Sequence, residues 1–155
     1  MELANILAAQ SVLVCSDVVS KRQLFERLAD AASQASDYDR TVILSAILER
    51  EALGSTGLGN GIAIPHGKVK GLRGVTAVFA RLETPIDFEA VDDQPVDLVM
   101  LLLAPIGAGA DHLKALSRVA RLLRTDAIVQ DLRMTRDPRR IHAILTAPVE
   151  AINAA

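Results

Sequence analysis

The sequence predicts an α/β fold, a three-layer α-β-α sandwich around a mixed β-sheet. Three observations carry that reading. Half of the 155 residues are apolar, enough for a substantial core in a length that suits one domain spanning residues 1–155. Apolar, β-branched runs too short for helices cluster in the middle of the chain. Segments of helical period lie before and after them, giving the order β-α-α-β-β-β-α-α-α.

Each element has its own signal. Ser11 to Cys15 (SVLVC) is a short β-branched run and reads as the first strand. Ser20-Lys21-Arg22-Gln23 fits a capping box, in which the Ser and Gln side chains satisfy each other's free amides. Leu24, Phe25, Leu28, Ala31 and Ala32 follow at helical spacing. A second helix runs from Asp37 or Asp39 to Leu53, with Val42, Ile43, Ala46 and Ile47 on one face, and stops at Gly54. Ile62 to Ile64 is a short strand ended by Pro65. Val75 to Leu82 is a second central strand. Val96 to Leu103 is almost continuously apolar, the pattern of a strand covered on both faces. From Asp111, read as a cap, the helical period returns, with Leu113, Leu116, Val119, Ala120 and Leu123 inward. Asp126 and Asp137 read as caps of two final helices, the second with Pro138 in its first turn.

Composition excludes several functions. Seventeen basic residues against nineteen acidic ones, with four aromatics and no Trp, argue against nucleic-acid binding, which needs a basic face or stacking platforms. The longest uncharged stretch, Leu98 to Ala110, is 13 residues and contains Pro105, whereas a spanning helix needs about 20, so no membrane insertion is expected. No secretory signal is evident after Met1-Glu2-Leu3, and a cytoplasmic location is expected. One cysteine, Cys15, cannot form an internal disulfide, and with three histidines it makes too small a pool for most zinc sites.

The glycines are distributed unevenly. Seven of the nine lie between Gly54 and Gly74. The segment fails as a P-loop, because aligning Gly67-Lys68 puts Ile62 at the first glycine and Val69 at the hydroxyl position. It fails as a dinucleotide fingerprint too, since Gly57, Gly59 and Gly61 are spaced G-x-G-x-G and follow a helix. What remains is Pro65-His66-Gly67. Pro65 stiffens the approach to the imidazole, and Gly67 permits a sharp turn or the close approach of another molecule.

The run Glu49-Arg50-Glu51-Ala52-Leu53-Gly54-Ser55-Thr56-Gly57, followed by Gly59-Asn60-Gly61-Ile62-Ala63-Ile64-Pro65-His66-Gly67-Lys68, resembles the active-site signature of EIIA domains of the bacterial phosphotransferase system. The resemblance is to the fructose/mannitol class, and within it to the nitrogen-regulatory EIIA proteins. Leu82-Glu83-Thr84-Pro85-Ile86, Asp92 to Leu98, and Asp111-His112-Leu113 carry it over the rest of the chain.

By that resemblance His66 is the phosphoryl acceptor, charged by a small phosphocarrier of the HPr type. His112 matches the second active-site histidine and Arg50 the active-site arginine. A neutral imidazole supplies the nucleophilic nitrogen, and an arginine fork or free helix amides balance the charge of the moving group. The backbone amides of Ser55, Thr56 and Gly57 are expected to add phosphate-binding donors. A phosphohistidine donor is already activated, so neither metal nor cofactor is required. The resemblance implies regulated targets such as potassium transporters or sensor kinases. The alternative is a sugar-specific EIIA that passes phosphate to an EIIB component, and a third reading is a binding module whose histidine is never phosphorylated. Lys68 is equally readable as a phosphate-attracting cation or a solvated one. His142 reads as structural. Asp87, Glu89, Asp92, Asp93 and Asp97 read as a solvated loop, and Arg118, Arg121, Arg124, Arg133, Arg136, Arg139 and Arg140 as exposed helix faces.

Overall fold

A computed structural model describes residues 2–148. Strand β1 is Val12–Cys15. It is followed by helices α1 (Lys21–Ser36) and α2 (Arg40–Ala52), then by strands β2 (Gly57–Gly59), β3 (Ile62–Ala63), β4 (His66–Val69), β5 (Thr76–Ile86) and β6 (Val96–Pro105). Helices α3 (Gly109–Leu123), α4 (Asp126–Met134) and α5 (Pro138–Leu145) complete the described chain. The six strands form one mixed sheet in the order β1-β5-β6-β3-β2, with β4 also paired to β6.

The three layers follow from the alternation of side chains along the central strands. Val78, Ala80 and Leu82 of β5 join Val99, Leu101 and Leu103 of β6 on the face that buries Leu24, Phe25 and Leu28 of α1 and Ile43 and Ile47 of α2. Ala77, Phe79, Leu98, Met100 and Leu102 face the other way, onto Val119, Leu122, Leu132 and Ile141 of α3 to α5. That alternation makes β6 apolar at nearly every position, as a strand covered on both faces requires.

Two strands, β2 and β4, escaped the sequence reading, and both lie in the glycine-rich segment. β3 and β4 pair parallel with β6 in one continuous register, Ile62 opposite Leu98 and His66 opposite Leu102. Pro65 removes one donor but does not end the run, because its carbonyl accepts from Leu102 N–H at 2.9 Å. His66 is therefore the first residue of a strand rather than a turn residue at a strand's end. Gly67 makes no turn either. A Cβ there would stand 3.4 Å from the Ala46 carbonyl oxygen, so the missing side chain lets α2 press onto β4.

Other expectations are corrected at the helix ends and faces. Ser20 caps α1 by accepting from Gln23 N–H, but the Gln23 side chain reaches Val19 N–H, one residue beyond the capping-box partner. Helix α3 begins at Gly109, so Asp111 lies inside its first turn instead of capping it. Asp126 is likewise the first helical residue of α4, after Thr125. Asp137 caps α5 as expected, accepting from Arg139 N–H. Val42 and Leu113 are exposed. The stripe of α3 that faces the sheet is His112, Ala115, Val119, Leu122 and Leu123, so a histidine takes the inward place that the apolar pattern assigned to Leu113.

Most of the acidic loop and of the late arginines is exposed as expected, but Asp97 and Arg133 are half-buried, and some of these side chains are tied down. Asp92 accepts from Asn60 N–H and Gln94 N–H. Asp97 is bound at both oxygens by Arg133, whose Nη2 also donates to the Asn60 carbonyl at 2.7 Å. His142 Nε2 lies 2.9 Å from the Leu7 carbonyl and ties α5 to the N-terminal segment. No helix among the described residues is long and apolar enough to cross a membrane.

Candidate active site

His66, Arg50 and His112 come from three elements and meet at one cleft of about 580 Å³. β4 has a single strand neighbour, β6, so its outer edge is free. His66 is paired with Leu102, which belongs to the core on the α3 side. Arg50 lies one turn beyond Ala46 on α2, the residue that packs on Gly67 from the opposite face. The long arginine side chain reaches past the free edge of the sheet to the imidazole. His112, the fourth residue of α3, closes the cleft from the third side.

The hydrogen bonds assign the two ring nitrogens of His66. Nδ1 is 2.9 Å from the Ile64 carbonyl oxygen. A carbonyl only accepts, so Nδ1 carries the hydrogen and Nε2 keeps its lone pair. Arg50 Nε donates to that lone pair at 3.2 Å, and Arg50 Nη1 donates to the Gly54 carbonyl at 2.9 Å. Among the described residues Arg50 forms no salt bridge and its Nη2 has no hydrogen-bond partner. Its charge is uncompensated.

His112 is 6% exposed and stands edge-on to His66, with ring centroids 5.7 Å apart. Its Nε2 is buried and has no hydrogen-bond partner among the described residues. Burial above all disfavours its charged form and, with His66 and Lys68 as neighbours, lowers its pKa below the ordinary histidine value. His112 therefore stays neutral through the neutral range. Helix α3 starts from Ala108, which offers no side-chain acceptor, so its first amides are uncapped at Gly109, which lines the cleft.

The sequence-predicted residues divide into two groups. His66, Arg50, His112 and Lys68 line the cleft, and Ser55, Thr56 and Gly57 do not. The Thr56 amide donates to the Glu51 carboxylate at 3.0 Å and the Gly57 amide to Ser55 Oγ at 3.1 Å. The Thr56 and Gly57 amides are thus turned to internal acceptors. Sequence reasoning missed the carbonyls of Ile64 and Gly54, for which no residue-type signal exists, and the inward role of Glu51. Glu51 stands inside the matched motif, and the motif was the one available pointer to it. Among the described residues no group of three or more His, Cys, Asp or Glu side chains is placed to hold a metal ion.

Comparison with known proteins bears on the same residues. The family described as "Phosphoenolpyruvate-dependent sugar phosphotransferase system, EIIA 2" matches residues 5–147. The nitrogen regulatory protein of Bradyrhizobium diazoefficiens is 47% identical over 148 residues, covering 96% of this chain and 97% of that protein. That of Escherichia coli K12 is 40% identical, covering 94% and 90%. The crystal structure of nitrogen regulatory protein IIA-Ntr from Neisseria meningitidis superposes with a TM-score of 0.87 at 36% identity, covering 93% of this chain and 99% of that one. The mannitol IIA of Escherichia coli, at 20% identity and a TM-score of 0.76, shares the fold. The three-layer α/β architecture is therefore that of IIA-Ntr, and the chain belongs to the EIIA type 2 family of the phosphoenolpyruvate-dependent phosphotransferase system, a family of phosphotransfer proteins.

Proposed function

We propose that this chain is one EIIA-type unit that accepts a phosphoryl group from an HPr-like carrier on His66 Nε2, in the cytoplasm, and regulates partner proteins by its phosphorylation state. The observation that carries the proposal is the Nε2 lone pair held between a fixed tautomer and an unpaired arginine. In the transfer, the bond from the donor's ring nitrogen to phosphorus breaks and leaves its electron pair on the donor. The Nε2 lone pair forms the new N–P bond. Each ring keeps the hydrogen on its other nitrogen, so the positive ring charge passes to His66 with the phosphoryl group. The Ile64 carbonyl stabilises that charge through Nδ1–H.

The remaining residues serve the anion. Once Nε2 is occupied, the Arg50 Nε–H that it held is freed for a phosphoryl oxygen, and Nη2 is already free. His112 faces the same space as a neutral donor, and the uncapped first turn of α3 favours negative charge. Lys68 adds a second cation on the cleft wall. Leu53 and Leu113, 85% and 68% exposed, stand at the cleft mouth and give it an apolar rim. A macromolecular donor fits that rim better than a small molecule does.

Regulation is favoured over sugar uptake by the names of the relatives at 47% and 40% identity, both nitrogen regulatory proteins. Targets in nitrogen or potassium metabolism, such as a potassium transporter or a sensor kinase, form part of this reading. The alternative, transfer to an EIIB component for sugar uptake, has a relative at 33% identity from Haloferax volcanii named as a fructose-specific EIIA component. Incubation with phosphoenolpyruvate, the first enzyme of the system and its carrier tests the proposal. An acid-labile gain of one phosphoryl group, absent from His66→Ala, is expected. No label on the wild type, or undiminished label on His66→Ala, would overturn it. Onward transfer to an EIIB component and sugar would favour the alternative.

A further inference from the structure

Glu51 stands beside Arg50 on α2 and serves a different set of partners. Its side chain is 7% exposed. It accepts from Thr56 N–H at 3.0 and 3.3 Å and from Thr56 Oγ1–H at 2.5 Å. Lys21 Nζ of α1 lies 2.9 Å from the same carboxylate, and that ammonium sits 4.4 Å from the ring centroid of Phe88. A buried carboxylate is tolerated only when its oxygens are satisfied, and these are. The result ties α1, the end of α2 and the start of β2 at one point.

The position of that tie matters for Arg50. Residues 52–55 form the loop that the Glu51–Thr56 contact closes, and the Gly54 carbonyl inside it accepts from Arg50 Nη1. Gly54 has φ +152°, a conformation that side-chain-bearing residues rarely adopt, and glycine brings the widest backbone freedom of any residue. The backbone ties the Gly54 amide to the Glu51 carbonyl at 3.1 Å, but the Gly54 carbonyl, on the far side of that freely rotating residue, has no backbone partner among the described residues. We propose that Glu51 is a positioning residue for phosphoryl transfer: its carboxylate, pinned to Thr56 and Lys21, holds the Gly54 carbonyl where it fixes the Arg50 guanidinium on His66 Nε2. This rests on the relay reading of His66.

Glu51→Gln keeps the shape but opposes an amide NH₂ to donors, which opens the tie. Two readouts test it. In the unphosphorylated protein, the Arg50 Nε–H resonance and the His66 ¹⁵Nε2 shift report the Arg50–His66 hydrogen bond. Both are expected to move toward free values in Glu51→Gln. Phosphoryl transfer from the carrier is expected to slow about tenfold, less than the ~100-fold that a 1 Å misplacement can cost. In an Arg50→Ala background the same substitution is expected to have no further effect, because it acts only through Arg50. An unmoved Arg50 Nε–H signal, or the same slowing in both backgrounds, would overturn the proposal. If Glu51→Gln lacks a dispersed amide spectrum, Thr56→Val carries both readouts with the same expectations. The resonance arm needs no phosphorylation, so it decides the role of Glu51 even if His66 proves not to be the acceptor.

Discussion

Arg50 and Arg133 stand toward opposite ends of β6 and use the same glycine-rich segment in opposite ways. Each donates to one of its carbonyls, Arg50 to Gly54 and Arg133 to Asn60. Arg133 then places two nitrogens on the two oxygens of Asp97, at 2.8 and 2.9 Å. Arg50 places Nε on a ring lone pair and meets no carboxylate. One charge is neutralised within the fold, and the other is held in register and left over. Residue type does not distinguish the two arginines. Whether a counter-charge sits opposite does, and a site that receives a dianion needs the unpaired one.

The largest effect expected is at the nucleophile. His66→Ala should abolish phosphorylation by the carrier while preserving a dispersed amide spectrum, since the side chain is only partly buried at a sheet edge. The next pair divides rate from stability. Arg50→Ala should slow transfer by about 10²–10³-fold, the cost of losing one transition-state donor, with little change in Tm. Arg133→Ala should leave transfer unchanged and cost roughly 1–3 kcal/mol of stability, because Asp97 and the Asn60 carbonyl lose their donor. Rapid-quench transfer assays and denaturant melts separate the two. Equal losses of rate in both variants would erase the contrast.

Gly61→Ala sharpens the structural end of the comparison. Gly61 has φ +82°, and a Cβ there would stand 2.6 Å from Arg133 Nη2 and 3.0 Å from Asp97 Oδ1. The variant should lose about 1–3 kcal/mol from backbone strain, with the displaced ion pair adding to it, and keep its transfer rate. The smallest effect is a pH dependence from His112. Its pKa is lowered in the folded protein, so between that value and the ordinary histidine value the unfolded chain binds more protons. Stability should therefore fall as pH drops through the ordinary histidine range, and level off below the folded pKa. Urea melts across that range should show less of this decline in His112→Gln. Phosphorylation of His66 should raise the His112 pKa, because the phosphoryl oxygens bring net negative charge beside it, as a ring-proton titration would show.

Legibility in the sequence followed how much of each signal resides in side chains. The α1 stripe and β6 were readable because their burial is written in apolar period. β2 and β4 were not, because glycine carries no pattern and Pro65 reads as a stop although the chain continues in register across it. Leu113 was assigned inward because the count of apolar positions gave His112 no inward weight, and burying an uncharged imidazole was the better solution. His66, His112 and Arg50 were found through a motif. Chemistry alone left His66 as a stiffened histidine beside many glycines, and what makes Nε2 the free nitrogen is a backbone carbonyl. Of the amides expected to bind phosphate, local side chains take those of Thr56 and Gly57, which spacing does not reveal.

Under the proposed function, Nε2 of His66, presented to an uncompensated Arg50, receives the phosphoryl group. Long-range ¹H–¹⁵N correlation spectra of the ¹⁵N-labelled protein after phosphorylation by the carrier test it most directly. Phosphorus coupling and the associated shift change are expected at His66 Nε2 alone, with Nδ1 remaining protonated. A phosphoryl group on Nδ1, on another residue, or on none would contradict it.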